Sequence, residues 1–160
     1  MPAILFVCTA NICRSPIAMG MLRNMLAEKH VEGDWLVESA GTWGLEGDPA
    51  AAGSQAVMNN LGIDIGDHRA RSVDYDLLQH FDLILTMEIG QKEALRMEFP
   101  EFSDRIYLLS EMTGQKRDIE DPYGGQYSGY EQAAEDIQLY LTNGFDTIIR
   151  LASHSNSKNS

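Results

Sequence analysis

Short apolar segments alternate with helical patterns along this chain. The apolar segments, which are typical of buried strands, are 3–8, 34–40, 82–87 and 105–109. The helical segments are 16–29, 50–61, 91–99 and 126–151, the last with a break near Gly144, and a short helix is predicted at 74–78. This alternation predicts an α/β fold with a four-stranded parallel sheet and helices on both faces.

The length of 160 residues predicts one domain, which we assign to 1–152. A polar segment, 153–160, follows it and is expected to be a disordered tail. Polar loops are predicted at 44–53 and 113–126. Ligands of parallel sheets bind at the carboxyl ends of the strands, so the loops after Cys8, Ser39, Met87 and Leu109 should converge on one site.

The amino-acid composition disfavours several classes of protein. No apolar segment approaches the ~20 residues of a membrane span, and the N-terminal run lacks the features of a signal peptide. Twelve basic residues against twenty-four acidic ones give a net charge of −12, which disfavours a nucleic-acid partner. Two cysteines allow neither a disulfide framework nor a four-cysteine zinc site, so a reduced, cytoplasmic setting is expected.

The segment from Val7 to Pro16 carries the candidate chemistry. Cys8 ends the first predicted strand, and Arg14 lies six positions later where a helix begins, with Ser15 as a candidate N-cap and Pro16 at the first helical position. So short a loop must curl and direct backbone N–H groups inward, towards the positive end of the helix dipole. We therefore expect a phosphate-binding loop after the first strand.

A nucleophile and an oxyanion cradle share this segment. The positive field favours the thiolate form of Cys8, and the planar guanidinium of Arg14 binds two oxyanion oxygens at once. That combination suits attack on a phosphate ester. A cysteine at a strand end is more often a small buried apolar residue, but the flanking strand and helix start favour the catalytic interpretation.

The segment from Cys8 to Pro16 resembles the signature of the low-molecular-weight protein tyrosine phosphatases, a family of small cytoplasmic cysteine phosphatases. The resemblance extends along nearly the whole chain. It implies a phosphotyrosine hydrolase with Cys8 as nucleophile, Arg14 as phosphate ligand and the loop residues Thr9, Ala10, Asn11, Ile12 and Cys13 around the phosphate. No cofactor or metal is expected, and phosphate or sulfate should bind at the site.

The leaving oxygen needs a proton from a carboxylic acid. In the loop 113–126 the candidates by composition are Asp118, Glu120 and Asp121, and an Asp-Pro pair alone is more often only a turn. The family resemblance selects Asp121, because Asp121-Pro122-Tyr123 matches a late Asp-Pro-aromatic motif. A Gly, Gly124, stands where the family often has a second aromatic residue.

Other residues are expected to support the loop or to line it. Asn11 suits a positive φ in a tight curl. The resemblance implies that Asn11 is held by Ser39 and His68, and that the Ser15 hydroxyl donates to the Cys8 sulfur. His30, His80 and His154 belong to no motif and are expected at the surface.

Cys13 and the aromatic residues each have two interpretations. Cys13 is either a buried structural thiol or a resolving cysteine that forms a reversible disulfide with oxidised Cys8. Trp43 and Tyr123 are candidate walls for a phosphotyrosine ring or ordinary surface aromatics. Relatives acting on phosphoarginine tend to carry Thr at the position of Ile12, so Ile12 favours phosphotyrosine.

Phosphotyrosine-containing proteins are therefore the expected partners. Two other functions fit part of the pattern. Arsenate reduction on this fold needs further cysteines downstream, and none follows Cys13. A non-catalytic phosphopeptide binder would not need Cys8, Arg14 and Asp121 together.

Overall fold

The computed structural model describes the backbone of residues 1–159 and the side chains as far as His154, and it confirms the predicted fold class. Four parallel strands form one sheet in the order β2-β1-β3-β4. Their bounds are Ala3–Cys8 for β1, Leu36–Gly41 for β2, Leu83–Thr86 for β3 and Ile106–Leu108 for β4. Each strand lies within one residue or two of the apolar segment that predicts it.

Six α-helices are found among the described residues and pack around the sheet. They are α1 (Arg14–Glu28), α2 (Ala52–Asn60), α3 (Tyr75–Leu78), α4 (Ile89–Glu98), α5 (Tyr127–Asn143) and α6 (Phe145–Asn159). The predicted break at Gly144 separates α5 from α6. Among the helices of the described chain, none combines the length and the apolar character needed to cross a membrane.

Strand β1 is buried along its whole length because both faces of the sheet are covered. Ile4, Phe6 and Cys8 face a core built with α1, α2, α5 and α6. Leu5 and Val7 face a second core that receives residues of α3 and α4. The catalytic candidate Cys8 therefore ends a strand that is fixed from both sides.

The strand order places the end of β1 at a topological switch point. The chain leaves β1 towards β2 on one side and returns to β3 on the other, so the connections diverge and leave a crevice above β1. The strands end nearly level, since Cys8 pairs with Gly41 and Val7 pairs with Thr86. The loops after β1 and β3 thus meet at one edge.

Two details at this edge differ from the sequence prediction. Helix α1 begins at Arg14 with Cys13 as its N-cap, so the assignment of Ser15 as N-cap was wrong: its hydroxyl is used elsewhere. Gly41 is the last residue of β2, one position beyond the predicted segment 34–40. A side chain there would lie 2.3 Å from the carbonyl oxygen of Thr9, so only glycine permits the close approach of the loop.

Helix α6 buries Ile148 and Ala152 against the core and continues to Asn159. The backbone over 153–159 therefore differs from the disordered tail predicted for 153–160, because the helical pattern of the preceding apolar residues carries on through the polar ones. Ser160 lies outside the described residues.

Candidate active site

The loop between β1 and α1 has its carbonyl groups turned outwards. Every carbonyl oxygen from Cys8 to Cys13 accepts a hydrogen bond from a surrounding segment, at 2.7 to 3.1 Å. In loop order the donors are the backbone N–H groups of Thr42, Trp43 and Leu45, the ring of His68, the N–H of Ala51 and the hydroxyl of Ser54. Since a peptide N–H points opposite to its carbonyl, the N–H groups of residues 9–14 are directed into the curl.

Asn11 is the conformational centre of the loop. It has φ of 62°, as its position in the curl predicted, and it is fully buried. Its side chain donates to Ser15 Oγ at 2.8 Å and Ser39 Oγ at 3.0 Å, and its Oδ1 accepts from the Arg71 N–H at 2.9 Å. The side chain of Asn11 therefore supports the loop and does not line the cavity, while its backbone N–H is among those directed into the curl.

The hydroxyl of Ser15 lies against the sulfur of Cys8. The two atoms are 3.0 Å apart, and Ser15 Oγ already accepts from Asn11 Nδ2. The hydroxyl hydrogen can point to sulfur or to the Ala40 carbonyl oxygen, which lies 3.5 Å from Ser15 Oγ, and the contact to sulfur is the shorter of the two. When Cys8 is a thiolate, its sulfur can only accept, and a hydrogen bond from Ser15 stabilises it.

The guanidinium of Arg14 is almost completely buried, at 1% exposure. Its Nη1 donates to the Ile119 carbonyl oxygen at 2.7 Å, and its Nη2 lies 2.8 Å from Glu88 Oε2 and 3.6 Å from Asp121 Oδ2. Its Nε is buried and has no hydrogen-bond partner among the described residues. A buried, unpaired N–H is costly, so this atom indicates an anion that binds there.

These groups open into one cavity of about 310 Å³. Its lining contains Cys8, Thr9, Ala10, Ile12, Cys13, Arg14, Leu45, Asp121 and Tyr123. The lining thus brings together the predicted nucleophile and phosphate ligand, both from the loop after β1, and the predicted acid from the loop before α5.

Only one of the two aromatic residues proposed as walls for the substrate ring lines the cavity. Tyr123 lines the cavity, whereas Trp43 is 78% exposed and does not. The N–H of Trp43 bonds to the loop carbonyl of Thr9, and this contact fixes its backbone with the ring turned to solvent. Leu45 lines the cavity instead, because its own N–H bonds one residue further along the loop, at Ala10.

The contacts of the three candidate acids distinguish between them. Asp118 Oδ1 accepts from the Ile89 N–H at 2.7 Å, so it caps the start of α4, and neither it nor Glu120 lines the cavity. Asp121 does line the cavity, and its Oδ1 accepts from the Tyr123 N–H at 3.1 Å. The geometry therefore favours Asp121 over the two other carboxylates.

Cys13 lines the cavity but is only 4% exposed, and both cysteines are free thiols. Burial, and then the negative charge of Asp121, raise the pKa of the Cys13 thiol to about 11. At neutral pH Cys13 is thus a protonated thiol, which disfavours it as an attacking group. Its resolving role stays a prediction.

A second cavity, of about 620 Å³, lies behind the loop. It is larger, but it includes His68 and Ser39 and neither Cys8 nor Arg14. Because it reaches only the supports of the loop, the smaller cavity is the candidate active site. His30, His80 and His154 are exposed, as expected.

His68 holds the loop from this rear side. Its Nε2 lies 2.7 Å from the carbonyl oxygen of Asn11, which can only accept, so Nε2 carries the hydrogen. Burial lowers the pKa of His68, and the nearby positive charges of Arg23 and Arg71 lower it further. The folded protein therefore holds His68 as a neutral donor.

A pH-dependent loss of stability follows from the lowered pKa of His68. Above the ordinary pKa of about 6.5 the residue is neutral in both states, and below it the unfolded chain binds a proton more readily than the folded protein. The free energy of unfolding should therefore fall as the pH drops from 7.5 to 5.5. His68→Ala should cost about 1–3 kcal/mol at pH 7.5, since it leaves the Asn11 carbonyl unpaired. Urea unfolding at both pH values checks this, and a variant whose loss between them equals that of the parent would contradict it.

Three residues of the site were not predicted from the sequence. Glu88 was not assigned to the site, yet it forms the closest ion pair of Arg14. Gln91 bonds to both Glu88 and Thr9, and Leu45 lines the cavity. Their apolar or helical sequence context gave no signal of these contacts.

The family model for "low molecular weight phosphotyrosine protein phosphatase" matches residues 3–152 of this chain. The chain is 40% identical over 135 residues to the "probable low molecular weight protein-tyrosine-phosphatase EpsP" of Ralstonia nicotianae, which covers 84% of this chain and 88% of that protein. It is 34% identical over 139 residues to a "protein-arginine-phosphatase" of Geobacillus stearothermophilus, covering 86% and 90% of the two chains. The two names differ in the phosphorylated side chain.

Solved structures agree with the fold. The low-molecular-weight protein tyrosine phosphatase of T. tengcongensis superposes with a TM-score of 0.86 at 36% identity. The match covers 92% of this chain and 99% of that one. The loop, the switch point and the helices around them therefore belong to one shared architecture.

Proposed function

This chain belongs to the low-molecular-weight protein-tyrosine phosphatase family, and we propose that it hydrolyses phosphotyrosine in proteins through a cysteinyl-phosphate intermediate. The observation that carries the proposal is the single cavity that contains Cys8, Arg14 and Asp121. A nucleophile, an oxyanion ligand and a proton donor are the three groups that this chemistry needs.

In the first step the Cys8 thiolate attacks phosphorus. A sulfur–phosphorus bond forms as the bond from phosphorus to the tyrosine oxygen breaks, and Asp121 gives its proton to that oxygen. Tyrosine leaves as a neutral phenol, and a cysteinyl phosphate and a carboxylate remain.

In the second step Asp121, now a carboxylate, takes a proton from water. The hydroxide so formed attacks phosphorus, the sulfur–phosphorus bond breaks, and Cys8 returns to the thiolate. The contact from the Ser15 hydroxyl stabilises sulfur both as attacking and as leaving group, since it is anionic before the first step and after the second.

The loop and Arg14 hold the three equatorial phosphate oxygens in both steps. The inward N–H groups of residues 9–14 and the unpaired Nε of Arg14 supply donors, and the N-terminus of α1 adds positive potential. This field is fixed before substrate binds, so it requires little rearrangement as charge develops in the transition state.

The walls of the cavity favour an aromatic ester. Ile12, Leu45 and Tyr123 give the entrance an apolar surface that suits a phenyl ring. Phosphoarginine, the substrate in the name of the Geobacillus relative, would bring a polar guanidino group against Ile12. We therefore propose phosphotyrosine-containing proteins as partners and a reduced, cytoplasmic compartment, which both free thiols support.

The test is a comparison of substrates with the parent enzyme. We expect turnover of p-nitrophenyl phosphate and of a phosphotyrosine peptide, with kcat/KM for that peptide well above that for a phosphoarginine peptide. EDTA should have no effect, because Arg14 and the loop supply the positive potential. Phosphoarginine preference, thiol-dependent arsenate reduction, or phosphate binding without turnover would each replace the proposal with another function.

A further inference from the structure

The turn after β3 carries a buried amide that bonds to the phosphate-binding loop. Gln91, in the first turn of α4, is 7% exposed although its side chain is polar. It donates from Nε2 to Thr9 Oγ1 at 3.0 Å, across a sequence separation of 82 residues. This contact joins the loop after β1 to the loop after β3.

The orientation of the Gln91 amide is set by its partners. Its Oε1 accepts from two backbone N–H groups, those of Met87 and Glu88, each at 3.0 Å. Both partners are donors only, so the oxygen must lie on that side and Nε2 on the other. Gln91 therefore presents two fixed N–H donors towards the site.

The second donor of Gln91 reaches the carboxylate that holds Arg14. Nε2 lies 3.0 Å from Glu88 Oε2, and the same oxygen lies 2.8 Å from Arg14 Nη2. Thr9, Gln91, Glu88 and Arg14 thus form one continuous chain of contacts. Glu88 itself is 36% exposed, so burial alone does not fix its carboxylate.

A mobile carboxylate here would harm anion binding. Glu88 and Asp121 both approach Nη2 of Arg14, and the carboxylate of Glu88 adds a negative charge close to the place of the phosphate, as does Asp121 when it is ionised. Glu88 aids phosphate binding only while its carboxylate oxygen pairs with Nη2 of Arg14 and leaves Nε of Arg14 free to bind the phosphate. If Glu88 moved, it would repel the phosphate or turn the guanidinium away from it.

We propose that Gln91 is a positioning residue for phosphate binding: its amide fixes Glu88, and through Glu88 it orients the guanidinium of Arg14. The inference rests on the proposed phosphatase reaction. Gln91 touches no reacting atom. Its effect should be largest in the transition state, where the phosphate oxygens are bound most tightly. Its loss should therefore affect kcat/KM and the affinity for orthovanadate, an analogue of the transition state, more than KM.

The test is Gln91→Glu, which keeps the shape and the acceptor oxygen, removes the two donors and adds one negative charge. Repulsion from Glu88 should then lower kcat/KM for p-nitrophenyl phosphate and weaken inhibition by orthovanadate, each by about tenfold or more. KM should change less than threefold. Gln138→Glu, an exposed change of the same charge on α5, is the matched control and should behave as the parent.

A swap variant separates positioning from folding. Glu88→Gln combined with Gln91→Glu restores one amide and one carboxylate, with the charge of the parent. The amide introduced at position 88 can donate to the carboxylate introduced at position 91, while the amide oxygen accepts from Arg14. We expect this variant to recover kcat/KM to within about threefold of the parent.

Two outcomes would overturn the inference. One is a Gln91→Glu variant as active as the parent, and the other is a folded swap variant as impaired as the single one. An inactive parent would instead refute the proposed function.

Discussion

Replacing Cys8 with serine is expected to abolish turnover of p-nitrophenyl phosphate, by roughly 10⁴-fold or more, while the protein still binds phosphate. A serine hydroxyl at this position remains protonated, and the Ser15 hydroxyl 3.0 Å away stabilises an anion that the variant does not form. The donors that hold the oxyanion belong to Arg14 and to the loop backbone, so they are unchanged. Initial rates and phosphate binding by calorimetry measure the two effects separately.

Cys13→Ser is the matched comparison for this variant. It makes the same sulfur-to-oxygen change five positions along the same loop, at a thiol that is buried and protonated at neutral pH. Its effect on the rate should be far smaller than that of Cys8→Ser. Equal losses in the two variants would show that the loop tolerates neither change, and would refute the assignment of Cys8 as the nucleophile.

The catalytic loop could be predicted because its determinants are local. Cys8 and Arg14 lie within seven residues, between an apolar strand and a helix start, and the backbone of so short a connection has little freedom. Asn11 at positive φ follows from the same restriction. Local sequence therefore determines the part of the site where the backbone itself is the ligand.

The remainder of the site depends on contacts between distant segments. Glu88 and Gln91 reach Arg14 and Thr9 only because β3 pairs with β1, and no pattern in either segment indicates which side chain crosses. Leu45 and Trp43 are both apolar residues of one loop, and a single register of hydrogen bonds decides which one lines the cavity. The sequence context of Ser15 is typical of an N-cap, but in the structure its hydroxyl contacts the sulfur of Cys8.

The charge around Arg14 explains why protonation should control the reaction. Glu88 and Asp121 approach one guanidinium, and the chain as a whole has a net charge of −12. A phosphate ester that enters adds further negative charge. A protonated Asp121 relieves this repulsion and is also the form that can donate to the leaving oxygen, so substrate binding and general-acid catalysis favour the same protonation state.

Asp121→Asn should therefore lower kcat by about 10²–10⁴-fold for phenyl esters with poor leaving groups, and by much less for p-nitrophenyl phosphate. An amide keeps the size of the side chain but cannot transfer a proton, and p-nitrophenol leaves readily without one. The dependence of kcat on the acidity of the leaving group should become steeper. A series of substituted phenyl phosphates measures this dependence.

Asp118→Asn and Glu120→Gln are the matched controls, since each removes one carboxylate from the same loop. Asp118 caps the start of α4 through the Ile89 N–H, so its variant should lose stability rather than show a changed leaving-group dependence. Glu120 lies outside the cavity lining, so Glu120→Gln should change neither the stability nor the leaving-group dependence. If either control variant steepened the dependence while Asp121→Asn did not, the general acid would be that carboxylate. The 3.6 Å approach of Asp121 to Arg14 would then be an ion pair that only orients the guanidinium.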